Sequence, residues 1–172
     1  MEPVKLIHIV GFKNSGKTTL INNWIQIIKS LGLKVAVIKH HGHGAKLAMP
    51  DESKDSMQYL KNGADASIVA GSGHTQHITA DEMDYASLKQ LALLKKPDVI
   101  LVEGYKQEPG EKVILVKDEA DWRGLEDLGN IQLVVGLKRH ISYPQIADRE
   151  HIDALNNWLK KWLQSSKEDF YE

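Results

Sequence analysis

At 172 residues, the chain has room for one α/β domain with a substantial core and little room for two independent ones. Hydrophobic residues make up 42%, charged residues 26% and the formal net charge is −1, so there is no general basic field to attract nucleic acid or a membrane surface. Cysteine is absent, which excludes disulfides and thiolate metal sites and fits a reducing compartment. No apolar run approaches membrane length. Met1-Glu2-Pro3-Val4-Lys5 leads straight into the first strand without the architecture of a signal peptide, so a cytoplasmic location is expected.

The first predicted element is a strand over about Val4–Val10, short and mostly apolar. Gly11-Phe12-Lys13-Asn14-Ser15-Gly16-Lys17-Thr18 follows, matching G-x-x-x-x-G-K-[ST] at every fixed position. A helical pattern then runs over about Lys17–Leu31, with Gly32 where a C-cap glycine belongs. Gly11 and Gly16 let the backbone wrap closely, so that successive N–H groups and the helix N-terminus face a phosphate. In this arrangement Lys17 reaches the β/γ-phosphates, and the Thr18 hydroxyl ligates Mg²⁺. A glycine-rich turn capping an ordinary helix is the weaker reading, because strand, loop and helix occur in the order the chemistry requires.

Lys34–Lys39 reads as a second strand, completing a βαβ unit. Next comes Lys39-His40-His41-Gly42-His43-Gly44, at the same edge as the phosphate loop. Three readings stay open for it. Imidazoles bind transition metals, though flanking glycines organise ligands poorly; a neutral surface loop is the plainest alternative; and Lys39 with the imidazole N–H groups would suit a phosphate-bearing ligand, a reading that the loop's position favours over metal. Asp51 or Ser53 reads as a helix cap, and one of the carboxylates Asp51, Glu52 and Asp55 could instead approach a metal, Asp55 being the candidate that the resemblance given below singles out.

A short helix is predicted over Lys54–Asn62, ended by Gly63, then strands at Ala66–Gly71 and His74–Thr79. His74 and His77 read as ordinary exposed histidines. Apolar spacing gives a helix over Asp84–Lys95, which Pro97-Asp98 breaks. Val99–Val102 is continuously apolar and ends at Glu103, as in a central parallel strand with an acidic tip. A carboxylate there holds Mg²⁺, directly or through water, or positions an attacking water. Asp98 lies at the opposite end of that strand, as a turn residue. Val113–Val116 and Leu133–Val135 read as further strands, and Ile152–Leu163 as the terminal helix. Trp24, Trp158 and Trp162 fall at helical spacing and read as packing residues. Alternating strands and helices imply an α/β fold, a mostly parallel twisted sheet with helices on both faces, of the kind seen in phosphate-loop nucleotide-binding domains. The expected organisation is a single domain over residues 1–172, with a small β extension at about 71–80.

Four stretches taken together, GFKNSGKTTL, VAVIKHHGHG, KDSMQYLKNGAD and PDVILVEGYKQEPGEKVIL, resemble the molybdopterin-guanine dinucleotide biosynthesis protein B (MobB) family. The resemblance covers most of Ile7–Leu115. It implies a protein that binds GTP with Mg²⁺, hydrolyses it weakly, and assists a MobA-like nucleotidyltransferase in joining a guanine nucleotide to molybdopterin. It also implies a homodimer formed through an added β segment, for which His74–Thr79 is the candidate. Carried over, Gly11, Asn14, Ser15, Gly16, Lys17, Thr18 and Thr19 bind phosphates and Mg²⁺; Glu103 is the acidic residue of the metal-site strand; Lys39, His40 and His43 match the basic stretch, and Lys54-Asp55-Ser56 the motif after it. Ser53 stands where a glycine is expected, and the guanine-reading [NT]-K-x-D is absent. Val135-Gly136-Leu137-Lys138-Arg139-His140 occupies its place, with Lys138 a candidate for stacking on the base.

Three functions are weighed against these residues. One is the GTP-binding accessory protein. Another is a small-molecule kinase using ATP, which needs a lid of arginines; Arg123, Arg139 and Arg149 are scattered and late, and no arginine is expected near the phosphate loop to act as an internal finger, which fits slow hydrolysis. The third is a binding module that uses nucleotide only to order its surface.

Overall fold

A computed structural model describes residues 4–42 and 47–165. In chain order the elements are β1 (Lys5–Val10), α1 (Lys17–Ser30), β2 (Val35–Lys39), α2 (Asp55–Lys61), β3 (Ala66–Gly71), β4 (His74–Thr79), α3 (Tyr85–Leu93), β5 (Val99–Glu103), β6 (Glu111–Leu115), α4 (Glu119–Arg123), β7 (Ile131–Val135), β8 (Gln145–Ile146) and α5 (Ile152–Gln164). They gather into two compact units, Met1–His40 with Ala92–Glu172, and His41–Leu91.

The first unit is built on a six-stranded sheet in the order β2-β5-β1-β6-β7-β8, every neighbouring pair parallel. All five residues of β5 are buried, which explains its unbroken apolar run: a strand inside such a sheet is covered on both faces. Alternation along β1 sends Ile7 and Ile9 to one face and Val10 to the other. On the first face these isoleucines join Leu101 and Val113 against Leu20, Trp24 and Ile28 of α1 and Leu155, Leu159 and Trp162 of α5. On the second face Val10, Ile114 and Val134 pack with Trp122 of α4 and with Leu125 and Leu137. The expected α/β architecture, a parallel sheet with helices on both faces, is therefore present.

The tryptophans are packing residues. Trp24 is fully buried and stacks on Trp158 at 5.7 Å between ring centroids, and Trp158 lies 6.4 Å from Trp162. The Trp162 indole N–H donates to Glu111 at 2.7 Å, giving that ring a polar anchor at the sheet.

Among the described residues, β3 and β4 of the second unit pair only with each other, antiparallel from Ala66↔Thr79 to Gly71↔His74. Ser72 and Gly73 both have positive φ, as a two-residue hairpin turn requires. The cap of α2 differs from expectation. It is Lys54, because the Asp51 carboxylate instead accepts bonds from the Ser53 amide and hydroxyl at 2.8 and 2.5 Å and closes the turn before the helix. Two elements were not foreseen at all, α4 and β8. Each is too short to carry a period, at five and two residues.

Replacing Trp24 with alanine empties the centre of the first face and should lower the unfolding free energy by about 3–5 kcal/mol in a urea titration. A loss below about 1 kcal/mol would contradict this packing.

Candidate functional site

The phosphate loop leaves the carboxyl end of β1 and is held by a close approach to β6. A Cβ added to Gly11 would stand 2.6 Å from the Leu115 carbonyl oxygen and 2.4 Å from the Ser15 hydroxyl, so no larger residue fits. Asn14 and Gly16 both adopt positive φ, 62° and 96°, and this curls the loop into the start of α1. That helix begins without a side-chain cap and without an acidic residue in its first turn. Its N-terminal amides and the positive end of its dipole are therefore available to an anion.

Lys17 lies across this loop. Its ammonium donates to the carbonyls of Gly11 at 2.9 Å and Phe12 at 2.7 Å. Burial pushes its pKa below the ordinary lysine value; the Glu103 carboxylate acts in the opposite direction and the Lys39 ammonium adds to the lowering. A polyphosphate would supply the countercharge that the two carbonyls only partly provide.

Glu103 is 8% exposed and joins three parts of the fold. The parallel register sets it beside Ile9 of β1 and Lys39 of β2. The Thr18 hydroxyl lies 3.2 Å from each carboxylate oxygen, and the Lys39 ammonium 3.1 Å from Oε1. A hydroxyl and a carboxylate in this arrangement are hard oxygen ligands of the type Mg²⁺ takes, alongside phosphate and water. Among the described residues no three His, Cys, Asp or Glu side chains come together as a metal-binding group. A cation here would accordingly complete its shell with phosphate oxygens and water. His40 continues from Lys39, its amide bonding to the Glu103 carbonyl at 2.9 Å and its ring 4.8 Å from that of Tyr105.

Gly11, Asn14, Ser15, Gly16, Lys17, Thr18, Thr19, Lys39, His40 and Glu103 thus meet at one edge of the sheet, as their order along the chain suggested. Ser15 is fully buried, whereas Thr18 and Thr19 are exposed. Lys138 is exposed just past the carboxyl end of β7, in the first unit. Asp55 is the first residue of α2, exposed, in the second unit. His43 lies outside the described residues. Asp98 acts at the opposite end of β5, accepting from the Lys34 amide at 2.7 Å, as a turn residue would.

Two residues near the loop escaped the sequence reading. Asp121 is buried in α4 and accepts from the Lys117 amide at 3.0 Å; its charge also reaches Lys17. The spacing Asp118-x-x-Asp121 was a usable signal, since the Asp118 side chain caps α4 by accepting from the Asp121 amide at 2.9 Å. Arg149 corrects the expectation that no arginine is near the loop. The fold returns it from β8 to within 3.5 Å of the Ser15 carbonyl, a tertiary approach that sequence distance conceals.

Residues 6–136 match the family described as MobB: Molybdopterin guanine dinucleotide synthesis protein B. The chain belongs to this family. It is 32% identical over 153 residues to the Bacillus subtilis (strain 168) protein named "Probable molybdopterin-guanine dinucleotide biosynthesis adapter protein", covering 89% of this chain and 88% of that one. The crystal structure of Bacillus subtilis MobB superposes with a TM-score of 0.73 at 29% identity, covering 90% of this chain and 97% of the other. That of a MobB protein homolog from Bacillus stearothermophilus gives 0.69 at 31%, covering 91% and 98%.

Proposed function

We propose that this chain is a GTP-binding adapter in molybdenum-cofactor biosynthesis, assisting a nucleotidyltransferase that attaches a guanine nucleotide to molybdopterin. The observation that carries the reading is the join of Thr18, Glu103 and Lys39 beside an uncapped helix N-terminus, in a chain of the MobB family. In this reading the loop amides and Lys17 hold the phosphates, with His40 and Lys39 beside them. Thr18 and Glu103 would hold Mg²⁺, which when bound would supply a Lewis acid that neutralises phosphate charge. Lys39 balances the Glu103 carboxylate until the cation arrives.

Turnover is slow in this account. Arg149 comes to the loop at Ser15, whereas Glu103 meets Thr18, so the guanidinium is not set beside the terminal phosphate as a finger would be. Arg139 is engaged by Glu119 at 2.6 Å, which removes it from the set of arginines a kinase lid would need.

The decisive experiment is a reconstituted reaction containing molybdopterin, GTP, Mg²⁺ and a purified molybdopterin nucleotidyltransferase. Adding the wild-type chain should raise the yield of dinucleotide, and Lys17→Ala should not. Lys17→Ala should also lose the rise in melting temperature that GTP and Mg²⁺ give the wild type, a stabilisation of about 2.7 kcal/mol at a ligand concentration a hundredfold above Kd. Equal yields and equal melting shifts for the two proteins would refute the reading. Glu103→Gln should still bind GTP but hydrolyse it at least about tenfold more slowly in Mg²⁺; hydrolysis at the parental rate would remove Glu103 from the mechanism.

The β3–β4 hairpin supports the further proposal of a homodimer, because it presents Ile68 at 67% exposure and Val69 at 45%. Sedimentation equilibrium should return twice the chain mass for the wild type and a single chain mass for Ile68→Lys. A wild type that stays monomeric at high concentration would exclude the dimer.

A further inference from the structure

The side chain of Arg149 has a place in the site that no phosphate or metal role accounts for. Its stem crosses Gly136 at the end of β7: a Cβ on Gly136 would meet the Arg149 Cγ and Cδ at 3.0 Å, and the Val116 carbonyl oxygen at 2.1 Å. Only glycine leaves that passage open. The loop that delivers Arg149 is shaped by Asp148, whose carboxylate accepts from the Glu150 amide at 2.9 Å and whose carbonyl accepts from the His151 amide at 3.2 Å. The Gly136 amide bonds to the Ile146 carbonyl at 2.9 Å and ties the ends of β7 and β8 together. Arg149 itself is exposed, and among the described residues its hydrogen bond is the one to the Ser15 carbonyl. The other guanidinium N–H groups are left for a ligand.

Strand order says which part of a nucleotide lies there. Glu103, Thr18 and Lys39 sit on the β5–β2 side of the loop, and Gly136 and Arg149 on the β7–β8 side. If the metal-bearing end of the polyphosphate is held at Glu103, as proposed above, the nucleoside leaves the loop toward β7 and β8. A guanidinium has five N–H donors and no acceptor. A 6-oxopurine offers it two acceptors, O6 and N7; adenine replaces the first with an amino donor.

We infer that Arg149, threaded over Gly136 beside the phosphate loop, is the residue that selects a 6-oxopurine base over adenine. It would do so by donating to O6 and N7, and so fill the role for which this chain lacks the [NT]-K-x-D signature. Lys138, exposed two residues beyond Gly136, is a second donor at the same end of the nucleotide.

This inference rests on the nucleotide reading, and the test separates the two. Affinities for GTP, ITP and ATP are measured in Mg²⁺ by calorimetry for the wild type, Arg149→Met and Arg149→Lys, with the melting temperature of each nucleotide-free protein as the check on folding. The wild type should prefer GTP and ITP to ATP. Arg149→Met, which keeps the stem and removes every donor, should weaken GTP and ITP about tenfold and leave ATP within about twofold. Arg149→Lys should fall between them, since a lysine donates from a single point. Inosine lacks the 2-amino group, so equal losses for GTP and ITP locate the contact at the O6/N7 edge. Equal losses for all three nucleotides would overturn the inference and leave Arg149 as a brace for the loop at Ser15. An unchanged ratio of GTP to ATP affinity in either variant would overturn it too. A wild type that binds none of the three would instead bring down the nucleotide reading beneath it.

Discussion

The site depends on one shared carboxylate. Glu103 ends a strand whose other four residues are apolar and buried, and a charge in that position is costly unless it is paired. The fold pairs it twice, with the Thr18 hydroxyl at the start of α1 and with the Lys39 ammonium at the end of β2. Three elements distant in sequence are thereby registered on one group. The parallel ladder makes this automatic: with β5 between β1 and β2, residues that end their strands at the same level come together at the sheet edge. A Mg²⁺ ion arriving with a nucleotide would compete for the same oxygens. On the proposed reading, ligand binding and the internal ion pair would be coupled, with Lys39 turning to phosphate as the cation takes its place.

The sheet supplies rigidity on the scale this arrangement needs. Gly11 lies against the Leu115 carbonyl, which docks the loop on β6, while Ile7 and Ile9 anchor β1 in the core over Trp24. The loop itself is irregular, yet both of its ends are fixed in packed structure. On the proposed reading, a loop held in this way would lose little freedom when an anion enters.

Much of this was legible in the chain because the signals are local and the chemistry is strict. The phosphate loop, the apolar run ending at Glu103 and the tryptophans at helical spacing all describe short segments whose neighbours are known from sequence, and strand alternation was enough to set the sheet edge. What was not legible is tertiary or too short to have a period. Asp121 sits on a helix of five residues, and β8 has only two. Arg149 reaches the loop from 134 positions away. The α2 cap failed for another reason: Asp51 had two uses within reach and took the turn over the helix end. The hairpin was recognised as two strands, but not that they pair with each other as a separate two-stranded sheet, because pairing partners are not written in propensity.

The measurement that bears most directly on the central claim is the Mg²⁺ dependence of GTP binding in the wild type and in Thr18→Ala, followed by titration calorimetry with and without EDTA. If the Thr18 hydroxyl and the Glu103 carboxylate jointly hold the cation against the phosphates, Mg²⁺ will tighten GTP binding to the wild type by about tenfold or more and will have little effect on Thr18→Ala. Binding that is indifferent to Mg²⁺ in the wild type, or equally tightened in both proteins, would contradict the account.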